Sequence, residues 1–123
     1  MELVRIHECL CDRTRLRIVH VLLSGPLCVC HLQELLREPQ VKVSRHLAYL
    51  RRRGMVEAER CGAWMVYRLP SPCPEVLTTH LACLQDCAAE EGIFRRDAAR
   101  LAKLRSKLCQ RGAPALCLAA TTL

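Results

Sequence analysis

Apolar residues recur every three or four positions in three successive segments of the N-terminal half, and each segment is followed by a glycine or a proline. That spacing places the apolar side chains on one face of an α-helix. It predicts three helices, over residues 14–23, 27–36 and 40–53. Asp12 is expected to cap the first of them, and Gly54 follows the third, where glycine commonly ends a helix.

Beyond Gly54 the apolar positions alternate with polar ones, which is the period of a β-strand. Two such runs, 56–60 and 64–69, flank a Gly-containing turn and predict a β-hairpin. The helical period then returns in two segments separated by Gly92. Their apolar stripes are Leu77, Leu81, Leu84 and Ala88, then Phe94, Ala98, Leu101, Leu104 and Leu108. We expect one domain over 1–110, with 111–123 as a flexible tail.

The order helix, helix, tight turn, helix, hairpin is that of a winged helix-turn-helix, a mainly α-helical unit with a β-hairpin wing. The helices after the hairpin are apolar on one face, and too little chain remains to cover them. A second copy would cover these faces, and a homodimer would present two reading helices to a two-fold DNA site. The sequence therefore predicts a dimeric winged helix-turn-helix whose partner is double-stranded DNA.

Composition and charge agree with that fold. Apolar residues make up 51% of the chain and aromatic residues only 3%, which suits helices better than a sandwich or barrel. The net charge is +7, and between residues 37 and 68 eight basic residues stand against three acidic ones, as in proteins that bind phosphate backbones. Because no apolar run is long enough for a membrane span and no secretory signal precedes the domain, we expect a cytoplasmic protein without a membrane partner.

Ten cysteines are unusual in a chain expected to lie in a reducing compartment. Thiolates are soft ligands, which favour thiophilic ions over Mg²⁺ or Ca²⁺. Cys28 and Cys30 stand at the start of the second predicted helix, where unpaired amides and the helix dipole favour the thiolate. On an ideal helix, residues two apart lie about 200° around the axis, so an ion bound to both thiols would have to unwind or bend the first turn.

Three stretches resemble the ArsR/SmtB family of metal-sensing repressors. They are the opening helix 10–18, the segment 27–32 that reads Leu-Cys-Val-Cys-His-Leu, and the reading helix 40–50. The hairpin continues the match, which covers roughly residues 4–90. The resemblance implies a DNA-binding transcriptional repressor that releases its operator when trivalent arsenic or antimony, As(III) or Sb(III), binds Cys28 and Cys30. It implies no organic cofactor.

The expected DNA contacts lie on the polar face of the reading helix and at the wing. The residues concerned are Gln40, Lys42, Ser44, Arg45 and His46 on the helix and Arg60 beside the hairpin turn. Gln pairs with adenine and Arg or Lys with guanine in the major groove, and an arginine at a wing tip can enter the flanking minor groove. Each helix residue is expected to read a base or to hold a phosphate, and His46 to do either or to pack. The arginines that end the helix, Arg51 to Arg53, complement its dipole or contact phosphate.

A trivalent arsenic or antimony centre prefers three sulfurs, and the pair supplies two. Candidates for the third are Cys9 and Cys11, from this chain or a second copy, and Cys61, Cys73, Cys83 and Cys87. Cys83 and Cys87 lie four apart on one predicted helix face and are able to chelate an ion by themselves. A methylated arsenical has only two open positions, so a dithiol suffices for it.

Two positions depart from the family pattern: Gln33 stands where arsenic-responsive members often have a third cysteine, and His31 stands where an aspartate is usual. The helix after the wing also lacks the paired Asp and His residues of the family's zinc-type site. Two alternatives to arsenic sensing remain on the same fold. One is a redox or reactive-sulfur sensor in which two cysteines link to each other, and the other is a Cd, Pb or Zn sensor that uses four sulfurs. No catalytic constellation is recognisable, so we do not expect an enzyme.

Overall fold

The computed structural model describes residues 2–108, and those residues form six helices and three strands. In chain order they are α1 (Glu2–Leu10), α2 (Arg13–Leu22), β1 (Leu27–Cys28), α3 (Val29–Leu36), α4 (Gln40–Arg52), β2 (Glu57–Cys61), β3 (Trp64–Arg68), α5 (Glu75–Ala88) and α6 (Gly92–Leu108). None of these helices is long and apolar enough to cross a membrane. The predicted tail and the domain boundary at residue 110 lie outside the described residues.

The helices α2 and α4 form at the predicted places. Asp12 caps α2, because its carboxylate accepts a 3.0 Å hydrogen bond from the Arg15 backbone N–H. Gly54, at φ +73°, follows α4 in the left-handed conformation that glycine adopts without strain. The residues before Asp12 form the separate helix α1. It buries Ile6 and Cys9 against the core.

The predicted hairpin β2–β3 is part of a three-stranded antiparallel sheet of order β1-β3-β2. The third strand corrects the sequence prediction, which placed Leu27 and Cys28 in a helix. In the structure Leu27 pairs with Tyr67 and Cys28 with Val66. These two residues thus form a short strand along the edge of β3 that does not pair with β2. Helix α3 begins only at Val29, because Cys28 has an extended backbone.

The apolar stripe of α5 is the predicted one, with Leu77, Leu81, Leu84 and Ala88 all buried. The stripe of α6 differs by one position. Phe94, Leu101 and Leu104 are buried, but Ala98 is exposed and the neighbouring Asp97 is fully buried. The described part of this helix ends at Leu108.

Asp97 is buried because it pairs with Arg17, which faces it from α2. The Arg17 guanidinium donates two 2.8 Å hydrogen bonds to the Asp97 carboxylate and a third, of 3.1 Å, to the Leu36 carbonyl at the end of α3. The pair carries opposite charges and satisfies its hydrogen bonds, which offsets the cost of burying both groups. One ion pair thus ties the last described helix to the helix-turn-helix.

Candidate ligand site and nucleic-acid interface

The Cys28 and Cys30 side chains meet at the junction of β1 and α3. Their Sγ atoms lie 2.7 Å apart, with Cys28 buried and Cys30 exposed. The expectation that helical geometry keeps the two thiols apart is therefore wrong. Cys28 is the extended residue that precedes the helix, so the 200° separation of helical neighbours does not apply to it. An ion is able to reach both thiols without unwinding the first turn of α3.

His31 completes a cluster of three donor side chains at this junction. One donor atom from each of Cys28, Cys30 and His31 lies within 4.8 Å of the other two. The Cys28 backbone N–H donates a 3.4 Å hydrogen bond to His31 Nδ1. The centroid of the His31 ring lies 5.3 Å from that of the Trp64 ring on β3. The sequence pointed to His31 only as a departure from a family pattern. Its place beside the thiols follows from where α3 begins.

The position of Cys28 at the N-terminus of α3 predicted a stabilised thiolate, and the structure reverses that expectation. Burial, together with the hydrogen bond to Cys30, raises the pKa of the Cys28 thiol to about 12. The N–H groups of the helix terminus act in the opposite direction and are outweighed. Cys28 is therefore a protonated thiol at neutral pH, and a ligand that binds it must displace that proton.

The polar face of α4 is open to solvent. Gln40, Lys42, Ser44 and Arg45 are exposed, His46 is half-buried, and Val43, Leu47 and Leu50 face the core. The expected DNA-reading residues thus share the accessible surface of one helix. Val41 belongs to this surface as well: it is 69% exposed, and the apolar pattern gave no reason to single it out. An exposed methyl-bearing side chain suits contact with a thymine methyl group.

Arg60 is exposed on β2, next to the turn that contains Gly62. That turn needs a residue with positive φ, which Gly62 supplies at +62°. Arg60 therefore lies near the end of the hairpin, where the flanking Cys61 and Trp64 side chains pack against the core. A wing of this shape, beside an exposed polar helix, matches the docking surface of winged helix-turn-helix proteins.

Comparison with known proteins identifies the family. Residues 12–58 match the family described as "Bacterial regulatory protein, arsR family". The arsenic resistance transcriptional regulator ArsR1 of Pseudomonas putida is 38% identical over 100 residues, which cover 80% of this chain and 77% of that protein. The chain belongs to the ArsR family.

Solved structures of other regulators have the same fold as this ArsR-family chain. The AntR antimony-specific transcriptional repressor is 34% identical, with a TM-score of 0.59 over 73% of this chain and 82% of that one. The homodimeric winged helix-turn-helix domain of Mb0332 from Mycobacterium bovis is 26% identical, with a TM-score of 0.60 over 74% and 82%. The predicted family and winged helix-turn-helix fold are thus confirmed. The relatives are transcriptional regulators, and no enzymatic family is indicated.

The other described cysteines of the ArsR-family chain do not join the Cys28 cluster within one copy. Within one copy, and for the residues described, Cys28, Cys30 and His31 are the only three metal-type ligands that converge. Cys9 is a buried residue of α1. Cys11 is exposed, and its thiol donates a hydrogen bond to the Glu8 carbonyl. Of the remaining candidates, Cys61 and Cys73 are half-buried, and Cys83 and Cys87 form an exposed pair on α5 with Sγ atoms 4.0 Å apart. A third sulfur from a second copy stays a prediction.

The arginines at the end of α4 have different surroundings. Arg53 stacks on the Tyr49 ring, with Cζ 3.5 Å from the ring centroid, and Arg15 of α2 lies 4.0 Å from the same centroid. These cation–π contacts join α2 to α4. Arg51 and Arg52 are exposed, so they remain available for phosphate.

Proposed function

We propose that this chain is a transcriptional repressor that binds operator DNA as a homodimer and releases it when trivalent arsenic or antimony binds Cys28 and Cys30. The observation that carries the proposal is the 2.7 Å approach of the two Sγ atoms at the start of α3. Two neighbouring thiols form a soft chelating pair. The names of ArsR1 and AntR, which refer to arsenic and antimony, support this choice of inducer.

DNA binding rests on α4 and the wing. Gln40, Lys42, Ser44 and Arg45 would face the major groove, with His46 beside them and Arg60 in the flanking minor groove. The positive net charge of +7 supplies attraction for the phosphate backbone. Lys42 is held by an ion pair with Glu38, at 3.2 Å, which orients its ammonium group at the first turn of the helix.

The position of Cys28 explains how ligand capture would reach the DNA-binding surface. Its backbone pairs with Val66 in the wing, and the next residue begins α3, the first helix of the helix-turn-helix. An ion bonded to both thiols replaces their direct 2.7 Å contact with two metal–sulfur bonds of about 2.3 Å, which hold the two Sγ atoms farther apart. That displacement would act on the wing through β1 and on α4 through α3, so binding energy at the thiols shifts the population away from the DNA-binding arrangement.

The test is operator binding, measured by fluorescence anisotropy with a labelled duplex from the chain's own upstream DNA. Arsenite, antimonite and methylarsenite should each release the wild-type protein. Cys28→Ser and Cys30→Ser should bind the duplex normally and need at least about tenfold more ligand for release. Cys109→Ser removes a thiol that is not among the candidate ligands and should respond as the wild type does. Full release of Cys28→Ser at wild-type arsenite concentrations would refute the proposal.

The same sulfur approach favours a second candidate, a thiol-redox repressor in which Cys28 and Cys30 form a disulfide. An oxidant such as diamide would then release DNA, a reductant would restore binding, and thiol titration would show the loss of two thiols. Release by arsenite under reducing conditions, with the thiol count unchanged once the ligand is removed, supports the metalloid instead.

A further inference from the structure

Two histidines from different helices meet on the surface formed by α1 and α5, away from the Cys28 cluster. The Nε2 atoms of His7 and His80 lie 3.1 Å apart, and the rings are nearly perpendicular, with centroids separated by 4.8 Å. His7 is exposed and His80 is half-buried. Neither residue belongs to the arsenic site or to the DNA-binding surface proposed above.

The hydrogen bonding of His80 determines what its Nε2 atom offers. Its Nδ1 lies 2.8 Å from the Val76 carbonyl oxygen, one turn earlier on α5. A carbonyl only accepts, so Nδ1 carries the proton and donates it. In the neutral ring, Nε2 then has a free lone pair, and this lone pair faces His7. A metal-binding histidine has this arrangement, with one nitrogen donating to a carbonyl and the other facing the ion.

The separation of the two nitrogens also suits an ion held between them. Two metal–nitrogen bonds of about 2.0–2.1 Å at a tetrahedral angle place the nitrogens about 3.3–3.4 Å apart. The observed 3.1 Å needs a shift of only a few tenths of an ångström, and the exposed His7 side chain has room to move.

We propose that His7 and His80 form a second metal site, which binds a divalent transition-metal ion such as Zn²⁺ between α1 and α5. Imidazole is a preferred ligand of Zn²⁺, Cu²⁺ and Ni²⁺, and water would fill the remaining positions in a single copy, or side chains of a second copy where it packs on α1 and α5. Both ligands come from one chain, so the ion cross-links two helices of the same copy. The site is chemically distinct from the dithiol, because it has nitrogen donors and needs no thiol deprotonation.

Zinc binding should be measured in a Cys30→Ser/Cys83→Ser/Cys87→Ser variant of the full chain, so that neither thiol pair seen in the described residues competes for the ion. These three cysteines are exposed, so their replacement leaves the core unchanged. Competition with a chromophoric chelator should give one Zn²⁺ per chain. The added substitutions His7→Gln and His80→Gln should each lower the zinc affinity more than about tenfold, because loss of even an outer-shell partner costs that much. Gln85→Ala, an exposed change on α5, should leave it unaltered.

Two further readouts make the result decisive. Zinc should shift the ¹⁵N resonances of the His7 and His80 Nε2 atoms, and circular dichroism should show the same helix content in every variant. Absence of zinc binding in the triple-serine protein, or wild-type zinc affinity in His80→Gln, would overturn the site. Release of DNA by arsenite should be the same in His80→Gln as in the wild type, so failure of the zinc site and failure of the arsenic proposal are separable.

Discussion

Cys28 is both the last residue of β1 and the residue that precedes α3, and its buried side chain keeps its proton at neutral pH. This has opposite consequences for two kinds of ligand. A divalent ion such as Cd²⁺ must release the thiol proton into solution. Arsenite is As(OH)₃ at neutral pH, and each hydroxide that leaves takes up one thiol proton to form water. Its capture by the thiols therefore releases no net proton.

A pH series should show this difference. Between about pH 6 and 8, the Cd²⁺ affinity should rise about tenfold per pH unit for each thiol proton displaced, whereas the arsenite affinity should stay nearly constant. The measurement is thiolate-to-metal absorption for Cd²⁺ and DNA release for arsenite. Cys28→Ser should lower the Cd²⁺ slope by one proton. An unchanged slope in that variant would mean that Cys28 is not a ligand.

At the scale of secondary structure, the chain is predictable where order is local. The helical period located α2, α4 and α5, because each buries its own stripe of regularly spaced side chains. The strand β1 escaped prediction because two residues carry no period, and their strand conformation comes from pairing with β3, almost forty positions away. The sequence therefore identified Cys28 and Cys30 as a candidate ligand pair, but the geometry that it predicted for the two thiols was wrong.

Asp97 is a similar case on α6. Local spacing favoured Ala98 as the buried residue, since an unpaired carboxylate does not enter a core. Arg17, which pairs with Asp97, lies 80 positions earlier on α2, and no local pattern relates the two residues. The burial of the charge is thus a consequence of tertiary packing, and only the fold shows it.

The Arg17–Asp97 pair should be an important contributor to stability. Asp97→Asn removes the buried counter-charge of Arg17 and leaves only the more distant Glu38 carboxylate, at 3.9 Å, although the amide oxygen still accepts one hydrogen bond. Loss of a partner from a buried ion pair costs about 3–5 kcal/mol, and we expect about 3 kcal/mol from urea unfolding because of that remaining bond. Glu59→Gln breaks the surface pair with Arg68 and should cost less than about 1 kcal/mol. Equal effects of the two substitutions would contradict this account.

The single chain leaves apolar side chains uncovered on α1 and α5. Leu3 and Val4 are 45% and 48% exposed, and Val76 is 39% exposed. Large apolar side chains at the surface of a small protein often mark a contact with another molecule. Val41, the fourth such residue among residues 2–108, lies on the proposed DNA-binding surface instead. We therefore expect α1 and α5 to contribute to the contact between two copies.

Val4→Glu should weaken that contact and, with it, operator binding. A dimer engages two half-sites together, and losing the second attachment lowers apparent affinity by about 10²–10⁴. Sedimentation should show a shift toward monomer, and anisotropy the loss of affinity for the full operator. Ser71→Glu adds the same charge in an exposed loop, so its smaller effect measures charge repulsion from DNA alone. If Val4→Glu remains a dimer with normal affinity, the contact between copies does not involve this part of α1, and a different face of the molecule must bring the two reading helices together.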